Sequence, residues 1–231
     1  MTARQHTEPL HYPDSDGQPI ADNTLQYRWI VTIQGNLDVL LPDFVAGDLL
    51  WYPVEGAPHI RVAPDVLVAL GRPKGDRGSY KQWEEDGVPP AVVFEVMSPG
   101  NTAAEMSRKA LFYRNYGAQE FYLVDPDRGT LQAWVLADRA TWGFQQIEDY
   151  TSPLLGIRLT SQDGELALYK SDGSPFLSFS ELAKAAADAE QARQDAEQAR
   201  QDAEQARQAA ERRAEVLAER LRALGIDPDA P

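Results

Sequence analysis

The sequence predicts a mixed α/β domain, with a β-sheet core flanked by helices, followed by a long C-terminal helix. This prediction rests on an amphipathic helical segment near the N-terminus, a series of short apolar runs with one helical crossover among them, and a heptad repeat near the C-terminus. The chain has 231 residues, enough for one domain with a substantial core plus an appendage. We place a polar N-terminal lead-in at residues 1–22, the domain at 23–178, and the heptad helix with a short tail at 179–231.

The first half of the predicted domain contains one helix and several strands. Apolar residues recur at helical spacing over Thr24–Leu41, which predicts a helix. Phe44–Pro53 is short and aromatic and is interpreted as a strand, and His59–Leu70 as an extended entry followed by a strand. Gly71–Pro90 is polar and rich in Gly and Pro, so it is predicted to be a functional or mobile loop. Ala91–Ser98 is a nearly continuous apolar run, typical of a strand buried on both faces.

The second half begins with a predicted helix from Thr102 to Tyr116. Thr102 and Glu105 have the spacing of a capping box, and Gly117 has the position of a C-cap. The next apolar run, EFYLVDP, predicts a strand that ends at Pro126. Three alternating segments beyond it predict antiparallel strands: TLQAWVLA, WGFQQIED and GELALYK.

After Ser178 the block AEQARQD recurs with a period of seven. Alanines occupy the a and d positions, and leucines continue the seam from Leu217 to Leu224. Because alanine buries little area, we expect the leucine end to supply most of any association energy. The pattern fits a single solvated helix and also a coiled coil with a second copy or a partner.

Composition limits the chemistry that the chain can perform. There is no cysteine, and the three histidines are His6, His11 and His59, which excludes disulfides and disfavours a zinc site. Any metal ion would be held by oxygen, which favours Mg²⁺ or Mn²⁺. No apolar run approaches the ~20 residues that span a bilayer, and the N-terminus has no apolar signal core. We therefore expect a cytoplasmic protein without a membrane partner.

The net charge of −14 is unusual for a protein that must bind nucleic acid. Most of this charge lies in residues 1–180. Non-specific affinity for nucleic acid comes from neutralising phosphates. The charge therefore indicates a local basic patch, a partner that supplies one, or a substrate other than long duplex DNA.

Two acidic residues occupy apolar runs that are predicted to be strands. Asp65 opens one run and Glu95 lies inside another. Carboxylates are costly to bury unless they are paired or bind a metal ion. Glu105 and Lys109, four residues apart on one predicted helical face, follow closely in the chain. These residues predict a divalent-cation site built for hydrolysis.

Hydrolysis of a phosphodiester needs charge neutralisation and an activated water. Two carboxylates with a divalent metal ion supply both, and a nearby lysine orients or deprotonates the water. The backbone carbonyl of Val96 is a candidate third oxygen ligand. Asp48, on the preceding strand, is a candidate further acid.

An ordered series of residues surrounds these positions: Pro64-Asp65, Phe94 to Pro99, Asn101-Thr102, Glu105, Lys109, Tyr113, Gly117, Glu120 to Tyr122 and Val124 to Pro126. The series resembles the Uma-type putative restriction endonuclease family of the PD-(D/E)xK nuclease superfamily, over roughly Thr24 to Tyr169. The resemblance implies a restriction-endonuclease-like fold and a Mg²⁺-dependent nuclease acting on DNA. Asp65 matches the Asp of the PD motif, and Glu95 matches the Glu of the ExK motif.

The sequence departs from the superfamily pattern at Met97, where the ExK lysine is expected. A lysine on the following helix substitutes in relatives, and Lys109 occupies that place. One hypothesis is thus an endonuclease in which Asp65 and Glu95 bind metal, Lys109 positions the water, and Glu105 assists. The alternative is a catalytically degenerate nuclease fold that serves as a binding or assembly module. In either case the heptad helix predicts a homodimer or a coiled-coil partner.

Two further features have alternative interpretations. Tyr80, Lys81 and Trp83 in the long loop either stack on a nucleic-acid strand or anchor the loop. Asp125, directly before Pro126, is more typical of a turn than of a ligand.

Overall fold

The structure is a computed structural model, and it describes residues 10–138 and 141–224. The chain divides into two compact units, Met1–Ser178 and Phe179–Pro231. Part of the predicted lead-in (residues 1–9, with His6) and the end of the predicted tail (residues 225–231) lie outside the described residues.

The first unit contains two helices and eleven strands in the described residues. The helices are α1 (Thr24–Leu40) and α2 (Ala103–Tyr116). The strands are β1 (Asp43–Gly47), β2 (Trp51–Tyr52), β3 (Val66–Pro73), β4 (Tyr80–Lys81), β5 (Val92–Val96), β6 (Glu120–Asp125), β7 (Thr130–Asp138), β8 (Thr141–Ile147), β9 (Asp149–Thr151), β10 (Arg158–Gln162) and β11 (Glu165–Tyr169). A short 3₁₀ turn spans Gln82–Glu85.

The largest sheet has six strands in the order β1-β3-β5-β6-β7-β8. Neighbours are antiparallel except β5 and β6, which are parallel and are joined through α2. A parallel pair requires such a crossover, whereas antiparallel neighbours need only a turn. A separate three-stranded sheet has the order β11-β10-β9, and β2 pairs with β4. The predicted mixed α/β sheet with flanking helices is confirmed.

Each face of the six-stranded sheet carries its own apolar core. Residues alternate between the faces along β5, so that Phe94 packs with Ile33 of α1 and Val93 packs with Tyr113 of α2. This alternation follows from the two-residue period of a strand. It also places Glu95 on the same face as Val93, the face that α2 covers.

The predicted helix boundaries are confirmed by their caps. The Asn23 side chain accepts a hydrogen bond from the Gln26 N–H at the start of α1 (2.9 Å). Thr102 Oγ1 accepts from the Glu105 N–H at the start of α2 (3.2 Å). Gly117 ends α2 with φ of 107°, a left-handed conformation that glycine adopts without a steric penalty.

The prediction of one strand over Phe44–Pro53 is wrong. The segment forms β1 and β2, separated at Asp48, whose φ is 49°. An aspartate tolerates this left-handed backbone better than most residues. Asp48 N–H donates to the Asp65 carbonyl (3.2 Å), so the break brings these two residues together.

The prediction of an irregular loop over Gly71–Pro90 is also wrong in part, because β3 extends to Pro73 and the segment contains β4 and the 3₁₀ turn. Arg72 and Arg77 both bind the Glu85 carboxylate, at 2.9 and 2.6 Å. Glu85 is 9 % exposed, and the pair of guanidinium groups compensates its burial. This long segment is therefore anchored rather than free.

Residues 10–22 have no regular secondary structure, yet they contact the domain. The Tyr12 ring lies 5.2 Å from Tyr52 and 5.0 Å from Trp83, measured between ring centroids. The Tyr52 hydroxyl donates to the Pro13 carbonyl (2.7 Å), and Ser98 donates to Asp22. These contacts hold the described part of the lead-in along the same edge as the candidate site.

In its described part, the second unit consists of one helix, α3 (Phe179–Ala223), of 45 residues. The predicted long C-terminal helix is confirmed. None of its residues is buried, and Leu217 is 59 % exposed. Repeated i,i+3 ion pairs such as Arg193–Glu190 stabilise it locally. Within the described residues, no helix has the length and apolar character needed to cross a lipid bilayer.

Candidate active site

Asp65 and Glu95 lie beside each other on neighbouring strands. Strands β3 and β5 are antiparallel, with Val66 opposite Phe94. One step further along this register places Asp65, which directly precedes β3, opposite Glu95. The two carboxylates therefore share the face of the sheet that α2 covers.

Asp65 is half-buried and is held by the backbone of the neighbouring strand. Its Oδ2 accepts a hydrogen bond from the Val96 N–H (2.6 Å). Burial raises the pKa of Asp65 well above its usual range, and the charge of Glu95 raises it further. The Val96 N–H and Lys109 oppose this rise without cancelling it. An added positive charge would therefore stabilise the ionised form.

Glu95 is almost completely buried, with 2 % of its surface exposed. Its Oε2 accepts from Lys109 Nζ at 2.8 Å, and its Oε1 accepts from the Tyr113 hydroxyl. Burial raises the pKa of Glu95, and Lys109 and Tyr113 act in the opposite direction. Both oxygens thus have donors, as a buried carboxylate requires.

Lys109 lies on α2, and its side chain extends to Glu95 on the sheet. Burial alone would lower the pKa of Lys109, but the charges of Glu95 and Asp65 outweigh it and raise the pKa. Lys109 therefore stays protonated in this arrangement. Glu105, one turn earlier on α2, also raises the pKa of Lys109 and lies at the same pocket.

A pocket of about 410 Å³ lies at this edge of the sheet, and Glu95 is linked to it through its bond to Lys109. Asp48, Asp65, Glu105 and Lys109 contribute to its wall, together with residues of the lead-in such as Asp16. Burial raises the pKa of Asp48, and the Asp16 charge adds to the rise. The pocket is thus lined by five acids and two cations and carries net negative charge; the acids are Asp16, Asp22, Asp48, Asp65 and Glu105, and the cations are Arg61 and Lys109.

Val96, a predicted metal ligand, and Met97, which replaces the expected lysine, lie in different surroundings. The Val96 carbonyl accepts a hydrogen bond from Gln26 Nε2 (2.8 Å), so α1 already binds one side of this oxygen. Met97 lies with the apolar cluster on the α2 face and lines a different pocket. The structure therefore brings five of the predicted site residues together: Asp48, Asp65, Glu95, Glu105 and Lys109. Met97 lies outside this group.

Two residues at this site had no assigned role in the sequence reasoning. Tyr113 follows Lys109 by four residues, so helical spacing places both over Glu95. This spacing can be recognised in the sequence. Gln26 contacts Val96 across 70 positions of sequence, and nothing local in the chain indicates that contact.

The loop aromatics have structural partners. Tyr80 is fully buried, stacks on Phe44 and donates to the Val88 carbonyl (2.7 Å). Trp83 contacts Tyr12 of the lead-in. These contacts favour the anchoring interpretation over a stacking surface. Asp125 accepts from the Arg128 N–H (3.1 Å), which is the turn geometry expected before a proline.

Comparisons with known proteins give a matching family and a similar solved structure. The family model Uma2, described as putative restriction endonuclease, matches residues 9–163. Among solved structures, a putative nuclease belonging to DUF820 from Anabaena variabilis is similar, with 15 % identity and a TM-score of 0.39. That match covers 56 % of this chain and 69 % of the other. No curated protein matches the sequence.

Proposed function

The chain belongs to the Uma2 family of putative restriction endonucleases, and on that basis we propose that it is a metal-dependent endonuclease that hydrolyses phosphodiester bonds of DNA. One observation supports the proposal most directly. Lys109 Nζ lies 2.8 Å from Glu95, and Asp65 lies opposite Glu95 on the adjacent strand. A lysine beside two carboxylates is the set of groups that such hydrolysis needs.

The donor chemistry of the pocket fits Mg²⁺ or Mn²⁺. Asp48 and Asp65 are partly buried carboxylates whose pKa values are raised by burial and by neighbouring negative charge, so both would gain from a cation. Neither forms a salt bridge with a described residue. Asp65 and Glu95 would hold the ion, with Asp48 and the Val96 carbonyl as further oxygen donors.

The side chains of the described residues do not form a ready-made cage of three acidic or histidine ligands. Both oxygens of Glu95 are already bound, by Lys109 and Tyr113. Ion binding would therefore require Glu95 to share an oxygen between Lys109 and the metal. When bound, the ion would neutralise charge on the phosphate and make a nearby water more acidic.

The side chains of the protein have separate tasks in this proposal. Lys109 orients the attacking water and stabilises negative charge on the phosphate oxygens. Tyr113 positions Glu95 by its hydrogen bond, and Glu105 keeps Lys109 protonated by its charge. Gln26 fixes the Val96 carbonyl and thereby the backbone between Glu95 and Met97.

We assign α3 to dimerisation through its heptad seam. The leucine end carries exposed apolar side chains, with Leu217 at 59 % and Leu224 at 75 % exposure. A second copy of the same helix would cover them in a coiled coil. Two catalytic domains joined in this way would act on two strands.

Hydrolysis assays test the proposal. The wild type is incubated with single-stranded, duplex and branched DNA in Mg²⁺ or Mn²⁺, beside Asp65→Asn and Glu95→Gln, which keep side-chain shape. The control is Glu148→Ala, an exposed acid outside the pocket. We expect cleavage by the wild type and the control, and none by the two pocket variants. Unchanged cleavage in both pocket variants would sink the site assignment.

Calorimetry with Mn²⁺ provides a second readout that does not depend on turnover. The wild type should release heat on binding, and Asp65→Asn should not. If the wild type neither binds Mn²⁺ nor cuts any substrate, the domain is a binding or assembly module instead.

A further inference from the structure

A second pocket of about 610 Å³ lies next to the proposed active site. Its wall is built where the parallel strands β5 and β6 end and α2 begins. In parallel regions of a sheet, this edge is where ligands most often bind. Asn101 lines both pockets, so the two lie side by side with this residue between them. A ligand in the active site can therefore extend into the second pocket.

The floor of this pocket is apolar and contains one aromatic ring. Met97, Met106, Leu123 and Trp134 line it. Trp134 stacks on Phe121, with 4.9 Å between ring centroids and 19° between planes. Phe144 contacts the indole as well, with 5.1 Å between ring centroids, so two aromatic neighbours hold it in place and its part in the pocket can contact a flat ligand without first being ordered.

The rim of the pocket is polar and carries more acid than base. Asp125, Asp127 and Arg128 are its charged residues, and Arg128 lies 3.5 Å from Asp125. Gln132 adds an amide. A phosphate would be repelled here, whereas N–H donors would be bound by the carboxylates. This combination of flat apolar floor and acceptor-rich rim fits a nucleobase that carries amino or imino hydrogens.

We propose that this second pocket binds an unpaired nucleobase of the DNA strand whose phosphate occupies the active site, with preference for a base such as guanine that presents adjacent N–H donors. The proposal rests on the proposed nuclease function. Only an unpaired base can enter, because in a duplex those donors are already paired and the ring is stacked. The substrate is therefore single-stranded DNA or DNA with an extruded base.

This assignment also accounts for the charge of the protein. With a net charge of −14, the chain is poorly suited to follow the backbone of a long duplex. Stacking and base-edge hydrogen bonds supply affinity without neutralising phosphates. An acidic protein can therefore bind a strand through a base and one phosphate.

Neighbouring alanines on α2 allow a matched test. Ala103 and Ala104 are both exposed in the first turn of α2, but only Ala103 lines the second pocket. In Ala103→Phe the added ring fills the pocket, and in Ala104→Phe it does not. Binding is measured by anisotropy of labelled twelve-nucleotide thymidine strands with phosphorothioate linkages, which resist hydrolysis. The central residue is guanosine in one strand and an abasic sugar in the other.

We expect the guanosine strand to bind the wild type and Ala104→Phe on the order of 10-fold more tightly than the abasic strand. In Ala103→Phe this difference should disappear, and annealing the complementary strand should abolish it in every protein. The nucleoside guanosine, which lacks a phosphate, should compete only weakly, since it cannot fill both pockets.

Four results would overturn the proposal: equal affinity of the two strands for the wild type, a preference that survives Ala103→Phe, a preference that survives annealing, or equal affinity of the nucleoside and the strand. Failure of the nuclease proposal is separable from these results. Base-dependent binding without cleavage of any substrate would sink the nuclease function alone, and cleavage without base-dependent binding would sink the pocket alone.

Discussion

Replacing Lys109 with methionine removes the ammonium group that lies 2.8 Å from Glu95 and leaves a carboxylate of 3 % side-chain exposure without its cation. Breaking one partner of a buried pair typically costs about 3–5 kcal/mol. Here the Lys109 side chain is 22 % exposed and Tyr113 still donates to Glu95, so the cost should be lower. We expect the free energy of unfolding to fall by about 2–3 kcal/mol at pH 8.

The cost should depend on pH in a direction that the structure sets. Burial raises the pKa of Glu95 even with Lys109 present, and losing the lysine raises it further. An acid whose pKa is higher in the folded state than in the unfolded state stabilises the folded protein fully at pH values below its unfolded pKa, which is about 4.3 for Glu. That stability is lost as pH rises through the folded pKa. The variant should therefore be less destabilised at pH 5 than at pH 8.

Urea denaturation monitored by tryptophan fluorescence measures this effect. All five tryptophans lie before Ser178, so the signal reports the first unit and not α3. Lys74→Met serves as control, because Lys74 pairs with Asp38 at an exposed site and such pairs contribute about 0–1 kcal/mol. Equal destabilisation at both pH values, or none at pH 8, would refute the assignment of Lys109 as the counter-charge of Glu95.

The double variant Lys109→Met/Glu95→Gln separates folding from chemistry. Neutral glutamine needs no cation, so most of the lost stability should return. DNA hydrolysis should stay absent, as is expected for Glu95→Gln alone. Recovered stability together with recovered hydrolysis would contradict a role of Lys109 in the reaction.

Three further outcomes are expected. Asp65→Asn should raise the midpoint of thermal unfolding at pH 8 without metal, because it removes a charge that burial and Glu95 disfavour. Each kcal/mol gained in the free energy of unfolding should raise the midpoint by about 2–4 °C. The gain should vanish in acid, and a lower midpoint at pH 8 would contradict this reasoning. Gly129→Ala should cost about 2–4 kcal/mol, since a Cβ there would lie 1.9 Å from the Gly164 carbonyl oxygen. Gly173→Ala, which has a similar φ and no atom within 4 Å, should cost only about 1–2 kcal/mol, and equal costs would show that the clash is relieved. Truncation after Ser178 should convert a dimer to a monomer, so light scattering should give the mass of one truncated chain; a mass of two truncated chains would assign oligomerisation to the first unit.

The parts of the fold that the sequence predicts well are those with local signals. Helix α2 has Thr102 as N-cap and Gly117 as C-cap, and both have the expected geometry. Strand β5 is an uninterrupted apolar run and is buried throughout. In these segments the structure is determined by residues that are close in sequence, so the local sequence is sufficient to predict it.

The parts that sequence reasoning misses depend on contacts between distant residues. The break at Asp48 follows from its contact with Asp65, and the order in the segment after β3 follows from Arg72 and Arg77 binding Glu85. For the candidate site, the pairing of Asp65 with Glu95 was predictable because both lie on apolar strands. The contact of Gln26 with the Val96 carbonyl was not, because it joins α1 to β5 across the sheet edge.

The exchange of lysine for methionine at position 97 has a physical consequence beyond catalysis. Met97 follows Glu95 by two residues and so lies on the same face of β5, where it lines the second pocket. A lysine there would place its charge on the floor of that pocket and hinder stacking on Trp134. Supplying the ammonium from Lys109 on α2 puts the cation on the other side of Asn101, among the carboxylates that need it. In the proposed function, Met97 on the strand can therefore contribute to base binding, and Lys109 on the helix provides the catalytic positive charge.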